Sequence, residues 1–465
     1  MKNLINIPKG ELQSISPSYS KRLSLKPTTG LAVALCFTAG LPSVVMSAEP
    51  SDWSKVPVTN MTLFYPGQSG FEWLNSDAHQ SKDGKDKGNK EMAKGTDCYF
   101  CHEGDEAKIG DKLVKGGPLE PMPVKGKPGH VNLALQVAYD NDKAYFRAKW
   151  KTRNPYPGEA HPFWRFNGKE WKGYGHPKLD KEVQEGKQPG IYEDRFSLLI
   201  DDGNVPNFNV HGCWLTCHNG QRDMPNKAGK AEVKAHAILG DKGLKKKDVR
   251  KYLPSTRNGG NWADTKSRSE IDKIGAAGGF LDLMQWRAHR SNPIGMTDDF
   301  HVMEYRLNDA GKGPFTKNWD KKENQPKFMY NKTKFGSNGT REEQIRSKSV
   351  ALTRELNAVP FDPALKWKEG DLIPEYVTSR EDAKGSAADN NEAKGVWKDG
   401  MWTVVFARKF GLSNPDDKKL SSGNAYIIGF AIHDDNITTH GHYVYWPRQV
   451  GFGAEKADIK ATKVP

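Results

Sequence analysis

Residues 131–150 read VNLALQVAYDNDKAYFRAKW, and this stretch predicts a β-hairpin. Apolar and polar residues alternate over Val131–Val137 and again over Ala144–Trp150, which is typical of strands with one buried face. The residues Asp140–Asp142 between them favour a tight turn. Strands joined by such a turn run antiparallel, so the stretch indicates an antiparallel sheet.

Strand patterns recur towards both ends of the chain, whereas helix patterns are few. The further predicted strands are Val56–Tyr65, Arg195–Ile200, Met401–Phe410, Ala425–His433 and His442–Trp446. Short helices are predicted at Lys242–Tyr252 and Arg341–Leu356. No glycine-rich nucleotide fingerprint follows a strand. We therefore expect a mainly β protein, an antiparallel β-sandwich with long loop and short-helix insertions.

Residues 1–48 resemble an export signal. Basic residues precede an apolar run at 31–40, and Ser47 and Ala48 offer a small-residue cleavage site. The run is too short to span a membrane, so no integral span is expected after cleavage; an uncleaved anchor is the alternative. The mature part, 49–465, is expected to be one β-sandwich domain with a first insertion at about 76–128 and a polar insertion at about 225–275.

The composition narrows the classes of partner. The formal net charge is +13, and removal of residues 1–48, with five basic and one acidic residue, leaves about +9. No nucleic-acid-binding motif accompanies this charge, and we expect no nucleic-acid partner. A basic face that docks an acidic partner protein, or that keeps the protein in solution, is the more economical interpretation.

Four of the five cysteines form two clusters that each end in histidine: CYFCH at 98–102 and CWLTCH at 213–218. The first spacing is the attachment signature of a c-type haem, in which two thiols bond the porphyrin and the histidine binds iron. The second has one more residue between its cysteines. We expect two covalent haems, at Cys98 and Cys101 and at Cys213 and Cys217. The alternatives are a redox disulfide and a zinc site that uses all four thiols.

Attachment places His102 and His218 beside iron, so the sixth ligands must come from elsewhere in the chain. A methionine ligand raises the reduction potential and a second histidine lowers it. For the first haem we favour His79, with Met122 and His130 as alternatives. For the second haem we favour His442 or His433, with His440 close enough in sequence to compete. Each of these histidines can instead be an ordinary polar residue.

Two further features have open interpretations. Arg287, His289 and Arg290 lie within four residues of one another and suit haem propionates, or else form a solvated loop. Trp214 lies between the second pair of cysteines and packs either on the porphyrin edge or in the core.

Several stretches, taken in order, resemble the ethylbenzene dehydrogenase-related haem-binding family. They are Gln68–Leu74 with His79, Tyr192–Phe196, Phe280–Pro293, Val359–Pro363, Gly395–Val405 and His442–Val444. The resemblance implies a cytochrome/DOMON-like haem-binding β-sandwich, similar to gamma subunits of periplasmic molybdenum enzymes of the dimethyl sulfoxide reductase type. Those subunits hold a non-covalent haem b, so their axial ligands do not carry over to this chain.

The resemblance and the cysteine clusters together predict a dihaem c-type cytochrome, periplasmic or on the outer surface. It would transfer electrons as a subunit or partner of a respiratory, molybdenum-type oxidoreductase. The alternative is a haem enzyme that reduces a small nitrogen or sulfur oxide or a peroxide at an open iron site. Whether the chain is an enzyme stays open, with an electron carrier favoured. A gas- or redox-sensing module is less favoured, because no output segment is recognisable.

Overall fold

The computed structural model describes residues 49–67, 79, 90, 91, 94–116, 127–176, 181–218, 226–240, 243–309, 311–434 and 442–465. The strands are β1 (Thr59–Phe64), β2 (His130–Tyr139), β3 (Lys143–Lys151), β4 (Phe163–Phe166), β5 (Trp171–Tyr174), β6 (Arg195–Asp201), β7 (Leu281–Arg287), β8 (Asp298–Val302), β9 (Arg306–Asn308), β10 (Phe315–Lys317), β11 (Phe328–Tyr330), β12 (Ala358–Pro360), β13 (Leu372–Pro374), β14 (Tyr376–Thr378), β15 (Asn391–Lys398), β16 (Met401–Lys409), β17 (Ala425–His433), β18 (His442–Val444), β19 (Arg448–Gly451), β20 (Ile459–Lys460) and β21 (Thr462–Lys463).

The helices among the described residues are short. They are α1 (Cys98–His102), α2 (Glu106–Leu113), α3 (Lys181–Gln184), α4 (Phe208–His211), α5 (Lys230–Ala235), α6 (Arg268–Ala276), α7 (Lys332–Phe335) and α8 (Arg380–Ala383). Single 3₁₀ turns are found at Trp53–Lys55, Gly212–Thr216, Asp248–Arg250, Pro254–Thr256, Asn292–Ile294, Glu342–Gln344 and Ala387–Asn390. In the part of the chain that the structure covers, no helix has the length and apolar composition needed to cross a membrane.

One large antiparallel sheet organises the fold. Its strands follow the order β15-β16-β3-β2-β1-β18-β17-β6-β7-β8-β9. The predicted hairpin is present as β2 and β3, with Leu133 opposite Trp150 and Tyr139 opposite Ala144. Strand β1 lies between β2 and β18, so the first and the last parts of the chain meet in mid-sheet. The prediction of a mainly β, antiparallel architecture is confirmed, and the open sheet is consistent with a sandwich-like fold.

The two predicted helices are wrong. In place of a helix at Arg341–Leu356 the chain has one 3₁₀ turn, Glu342–Gln344. Val350 packs into one small core and Leu352 into another, and an extended segment reaches both whereas one face of a helix does not. In place of the helix at Lys242–Tyr252 the described residues form only the turn Asp248–Arg250, after a run of lysines whose like charges oppose a helix.

The main core lies against the inner face of the sheet and holds most of the large aromatic residues. Trp150, Trp286 and Trp402 contact one another there, with ring centroids 4.9–6.4 Å apart. The same core contains Trp214 and Trp446, and Cys98 and Cys213 pack against its edge. Both cysteine clusters therefore border one apolar core. The segment around 225–275, predicted to be a polar insertion, contributes Val233, Val249, Tyr252 and Trp262 to a second small core that also contains Tyr305.

Candidate functional site

The first cysteine cluster forms the short helix α1. The Asp97 side chain caps it, because its Oδ1 accepts a hydrogen bond from the backbone N–H of Phe100 at 2.7 Å. Cys98 and Cys101 are three residues apart in this helix and lie on neighbouring positions of one face. Neither forms a disulfide. The two thiols are thus held on one side of α1, with His102 as its last residue.

The imidazole of His102 lies between two other rings. On one side it stacks on Trp446, with centroids 5.8 Å apart and planes 19° apart. On another side its centroid is 5.8 Å from that of His79. Burial and His79 both lower the pKa of His102, which favours the neutral imidazole that binds metal. The structure thus brings His79 beside His102, while its role as a ligand stays a prediction.

The pKa values of the Cys98 and Cys213 thiols do not suit disulfide exchange. Burial, aided by Asp97 and Cys101, raises the pKa of Cys98 to about 12. Burial likewise raises the pKa of Cys213 to about 12. Reactive cysteines in disulfide exchange have lowered pKa values, so these environments do not support the redox-disulfide alternative. Among the described residues, no group of three or more close candidate metal ligands contains a cysteine, and the zinc alternative lacks support as well.

The second cysteine cluster forms the 3₁₀ turn Gly212–Thr216, followed by Cys217 and His218. Cys213 lies against β17 at Gly429, where an added Cβ would be 2.6 Å from its Sγ. The residue at that strand position must therefore lack a side chain. On the other side, the Lys251 ammonium is 3.4 Å from Cys217 Sγ.

His218 is buried on an aromatic ring. Its centroid is 3.9 Å from that of Tyr252, and burial, with Lys251 and Arg257, lowers the pKa of His218 to about 3. His218 is therefore neutral at physiological pH, as an iron ligand must be. Lys251 affects both this histidine and Cys217, so it belongs to the second cluster.

His433 and His442 are directly opposite each other on β17 and β18. Their rings stack with centroids 5.2 Å apart and planes 24° apart. Burial lowers the pKa of both, and Lys251 and Lys127 lower that of His442 further, to about 3. Because Lys251 acts on His442 as well as on His218, the histidine pair is near the second cluster. Which of the two is a ligand stays open.

A buried basic row continues from this pair across the sheet. Arg195 on β6 is opposite His433, and Arg287 on β7 is opposite Arg195, so their side chains share a face. Arg287, His289 and Arg290 are all at least nine-tenths buried, so the solvated-loop alternative is wrong. Arg195 Nε and Nη2 are buried and form no hydrogen bond with the described residues, although Nη2 lies 3.5 Å from Glu193 Oε1. Such donors fit the carboxylates of a haem propionate, as the sequence suggested for the neighbouring arginine cluster.

Trp446 connects the two cysteine clusters and was missed by sequence reasoning. It stacks on His102 of the first cluster, and its ring centroid is 5.4 Å from that of Trp214 inside the second. Its indole N–H donates to Glu106 Oε1 at 3.2 Å, which fixes the ring orientation. Trp214 is buried in the main core, which was one of the two positions that the sequence allowed for it. No sequence signal distinguishes Trp446 from the other tryptophans.

The remaining ligand candidates are not brought to the clusters by any described contact. His130 begins β2 and its Nδ1 is 3.2 Å from Asp111 Oδ1. Met122 and His440 lie outside the described residues. Beside α1 there is a cavity of about 740 Å³, which Tyr99, Phe100 and Arg448 help to line, and the Phe100 side chain is mostly exposed.

Comparison with known proteins identifies a family and two named relatives. Residues 50–445 match the model of the ethylbenzene dehydrogenase family. The chain is similar to a cytochrome c-552 of Stutzerimonas stutzeri, 25% identical over 419 residues, which are 90% of this chain and 92% of that relative. It is also similar to a cytochrome c-551 of Rhodocyclus tenuis, 24% identical over 174 residues, which are 37% of this chain and 58% of that relative.

Proposed function

This chain belongs to the ethylbenzene dehydrogenase family, and on that basis we propose that it is a dihaem c-type cytochrome that transfers electrons. Two relatives with c-type cytochrome names support the covalent haem, and the two Cys–His clusters support the number two. When bound, each haem supplies a reversible iron(III)/iron(II) couple. The protein's part is to hold the ligands, exclude water and set the local charge.

The observation that carries this proposal is the aromatic contact between the clusters. His102, Trp446 and Trp214 form an unbroken series of ring contacts at 5.8 and 5.4 Å. Two attachment motifs that share one packed core place their redox groups in the same protein interior. That is the arrangement expected of a carrier that accepts an electron at one haem and releases it at the other.

The ligands follow from the histidine pairs. His102 and His79 would bind the first iron, because their ring centroids are already only 5.8 Å apart. His218 and either His433 or His442 would bind the second. Burial lowers the pKa of all four of the following histidines and so favours their neutral form: His102, His218, His433 and His442. Two histidine ligands give a lower reduction potential than histidine with methionine, so we expect two low-potential haems.

The residues around each cluster indicate how its haem would be held and how accessible it would be to a redox partner. Arg195, whose buried Nε forms no hydrogen bond with the described residues, would hold a propionate of the second haem. The cavity beside α1 and the exposed ring of Phe100 make the first haem the more accessible to a redox partner. The export-like residues 1–48 support a location in the periplasm or on the outer surface, and the family suggests a molybdenum-type oxidoreductase as the partner.

Mass spectrometry of the isolated protein tests this proposal. We expect an intact mass with two covalent haems and a pyridine haemochrome spectrum of the c type. Cys217→Ala should lose one haem and keep the other. Cys101→Ala is the matched control, because it should lose only the first haem. If Cys217→Ala still carries two covalent haems, the second cluster is misassigned.

Carbon monoxide distinguishes a carrier from an enzyme. If both irons have two protein ligands, the reduced protein should be fully low-spin and unchanged by carbon monoxide. A high-spin fraction that binds carbon monoxide would contradict the carrier and support an enzyme that reduces a small molecule at open iron.

A further inference from the structure

A second group of chemically active side chains lies away from both cysteine clusters, at the β7–β8–β9 end of the sheet. Its carboxylates come from four segments: Asp282 on β7, Asp299 on β8, Asp309 just after β9, and Asp416 and Asp417 in the loop after β16. Four of them, all but Asp416, are more than nine-tenths buried. Carboxylates are rarely buried so completely unless they are paired with cations.

Strand register explains why these side chains meet. Asp282 is directly opposite His301 in the β7–β8 pair, so both project from the same face of the sheet. Asp299 is two residues before His301 and therefore shares that face. The backbone N–H of Asp309 donates to the Asp299 carbonyl at 3.3 Å, which continues the β8–β9 ladder and adds a third strand position.

The acidic oxygens are close enough to bind one ion. Asp282, Asp299 and Asp417 each offer an oxygen, and these three atoms lie within 4.8 Å of one another. Asp309 is adjacent, because the charges of Asp282 and Asp417 act on its carboxylate. Burial first, and then these mutual repulsions, raise the pKa of Asp299 and Asp309. The carboxylates are therefore held together against their own repulsion.

The positive charges of the protein do not balance this group. Arg408 is fully buried among the carboxylates, and its Nη2 donates to Asp282 Oδ2 at 2.5 Å. The next cation, Lys418, directs its ammonium to Asp202 and to the Gly278 carbonyl instead. One guanidinium thus faces five carboxylates, and a divalent cation would supply the missing charge.

Buried side-chain oxygens that lack a hydrogen-bond donor also indicate a bound cation, and this observation does not depend on the count of charges. Asp282 Oδ1, Asp309 Oδ2 and Asp417 Oδ1 are buried and have no hydrogen-bond donor in the described part of the chain. The neutral side chain of Asn391 is fully buried against the cluster, where its Nδ2 donates to Asp299 Oδ2 at 2.6 Å. Its Oδ1 also lacks a donor among those residues. Buried acceptors without donors are costly, and a bound cation would satisfy all of them.

We propose that Asp282, Asp299, Asp309, Asp417 and Asn391 form a structural calcium site. The donors are all hard oxygens, carboxylates plus one amide carbonyl, which is the ligand set that Ca²⁺ prefers. Zinc and the transition metals favour nitrogen or sulfur, and the nearest histidine, His301, already bonds Asp309 Oδ1 at 2.9 Å. Ca²⁺ also tolerates the irregular geometry that five separate segments produce.

The site would fasten one edge of the sheet to the chain that leads into β17. Its ligands span β7, β8, the residue after β9, the start of β15 and the loop between β16 and β17. Without the ion, these carboxyl groups repel one another or take up protons, since the pKa values of Asp299 and Asp309 are raised. We therefore expect Ca²⁺ to stabilise the folded protein without touching either haem cluster.

Metal analysis and thermal unfolding of the haem-loaded protein test the proposal. Protein purified without chelator should contain one equivalent of calcium by mass spectrometry of its metals. After EGTA treatment and removal of the chelator, its melting temperature should fall by roughly 3 °C or more and return on addition of 1 mM CaCl₂. The variant Asp417→Asn should bind Ca²⁺ at least tenfold more weakly.

The matched control is Asp272→Asn, which removes one carboxylate that is 64% exposed on α6. It should keep its calcium and its response to EGTA. The proposal is overturned if the wild-type protein contains no calcium and melts at the same temperature in EGTA and in CaCl₂. Recovery of zinc or manganese in place of calcium overturns the choice of metal. Both results come from the wild-type protein, so they do not depend on whether the variant folds.

Discussion

At the scale of single residues, the behaviour of Glu193 depends on its cationic neighbours. Its carboxylate is fully buried and accepts hydrogen bonds from Arg290 Nε and from the backbone N–H groups of His289 and Arg290. Burial alone would raise the pKa of Glu193, but Arg290, Arg195 and Arg287 outweigh it and lower the pKa to about 2. Burial, with Arg195 and Arg290, lowers the pKa of Arg287, and Asp298 Oδ2 also accepts a hydrogen bond from its Nε at 2.9 Å.

We expect Glu193→Gln to destabilise the protein by about 3–5 kcal/mol, because it leaves three buried guanidinium groups without their shared counter-ion. Urea unfolding at pH 7 measures the loss. Glu323→Gln removes an exposed carboxylate and should change the stability by no more than about 0.5 kcal/mol. An equal effect of the two substitutions would contradict this account of the buried cluster.

The pH dependence of that loss has a definite sign. A carboxyl group whose pKa is lowered by folding contributes stability above its ordinary pKa of 4.5, and the contribution disappears as the pH falls to about 2. The difference in stability between wild type and Glu193→Gln should therefore be constant above about pH 5 and shrink towards pH 2. A difference that grows on acidification would contradict this assignment.

At the scale of secondary-structure elements, strand β17 has two roles. Its residues Ile428, Phe430 and Ile432 fill the main core, and the residue between the first two is Gly429. That position carries no side chain, and Cys213 of the second cluster occupies the space. The strand thus sets where the second attachment turn can lie.

We expect Gly429→Ala to lose most of the second covalent haem while keeping the first. The new Cβ would be 2.6 Å from Cys213 Sγ, so the cysteine must move from its present position. Intact mass measures the haem number. Gly260→Ala is the control, because an added Cβ there contacts nothing within 4 Å and the two-haem mass should be unchanged. A full two-haem mass for Gly429→Ala would show that the position of this thiol is not critical.

Sequence patterns predicted the strands whose buried side chains are apolar. They did not predict the strands that bury charged side chains. The hairpin β2–β3 and strands β16 and β17 have clear alternation, and the predicted ends of β17 are those observed. Strands β7 and β8 were not predicted, because Asp282, Asp298 and Asp299 interrupt their hydrophobic pattern. Asp282 and Asp299 are ligands of the proposed calcium site, and Asp298 pairs with Arg287, so the missed strands coincide with buried charged groups whose chemistry overrides ordinary burial rules.

The candidate haem site was predictable in its covalent part and not in its surroundings. Consecutive residues define Cys98, Cys101 and His102, so sequence spacing alone suffices to identify them. The neighbours of these residues come from distant strands. Trp446 reaches His102, and Lys251 reaches Cys217, only because the sheet brings together segments far apart in the sequence. Such contacts have no local signature.

At the scale of the whole molecule, the two attachment clusters depend on one core. Cys98 and Tyr99 of the first cluster, and Cys213 and Trp214 of the second, all belong to or pack against the same set of buried residues. Trp446 contacts the rings of both clusters and is 2% exposed. Loss of packing at this residue should therefore reach both haem environments and not one alone.

We expect Trp446→Leu to lower the stability of the core by about 2–4 kcal/mol, because it removes a buried ring and leaves a cavity between His102 and Trp214. Urea unfolding followed by the Soret band measures this. The measurement is made in two backgrounds, Cys101→Ala and Cys217→Ala, so that the signal reports one haem at a time. The unfolding midpoint should shift by the same amount in both. Trp446→Phe keeps an aromatic face in the cavity and should cost less in each. A shift confined to one background would mean that the clusters unfold independently, and the shared interior would then not connect the two haems.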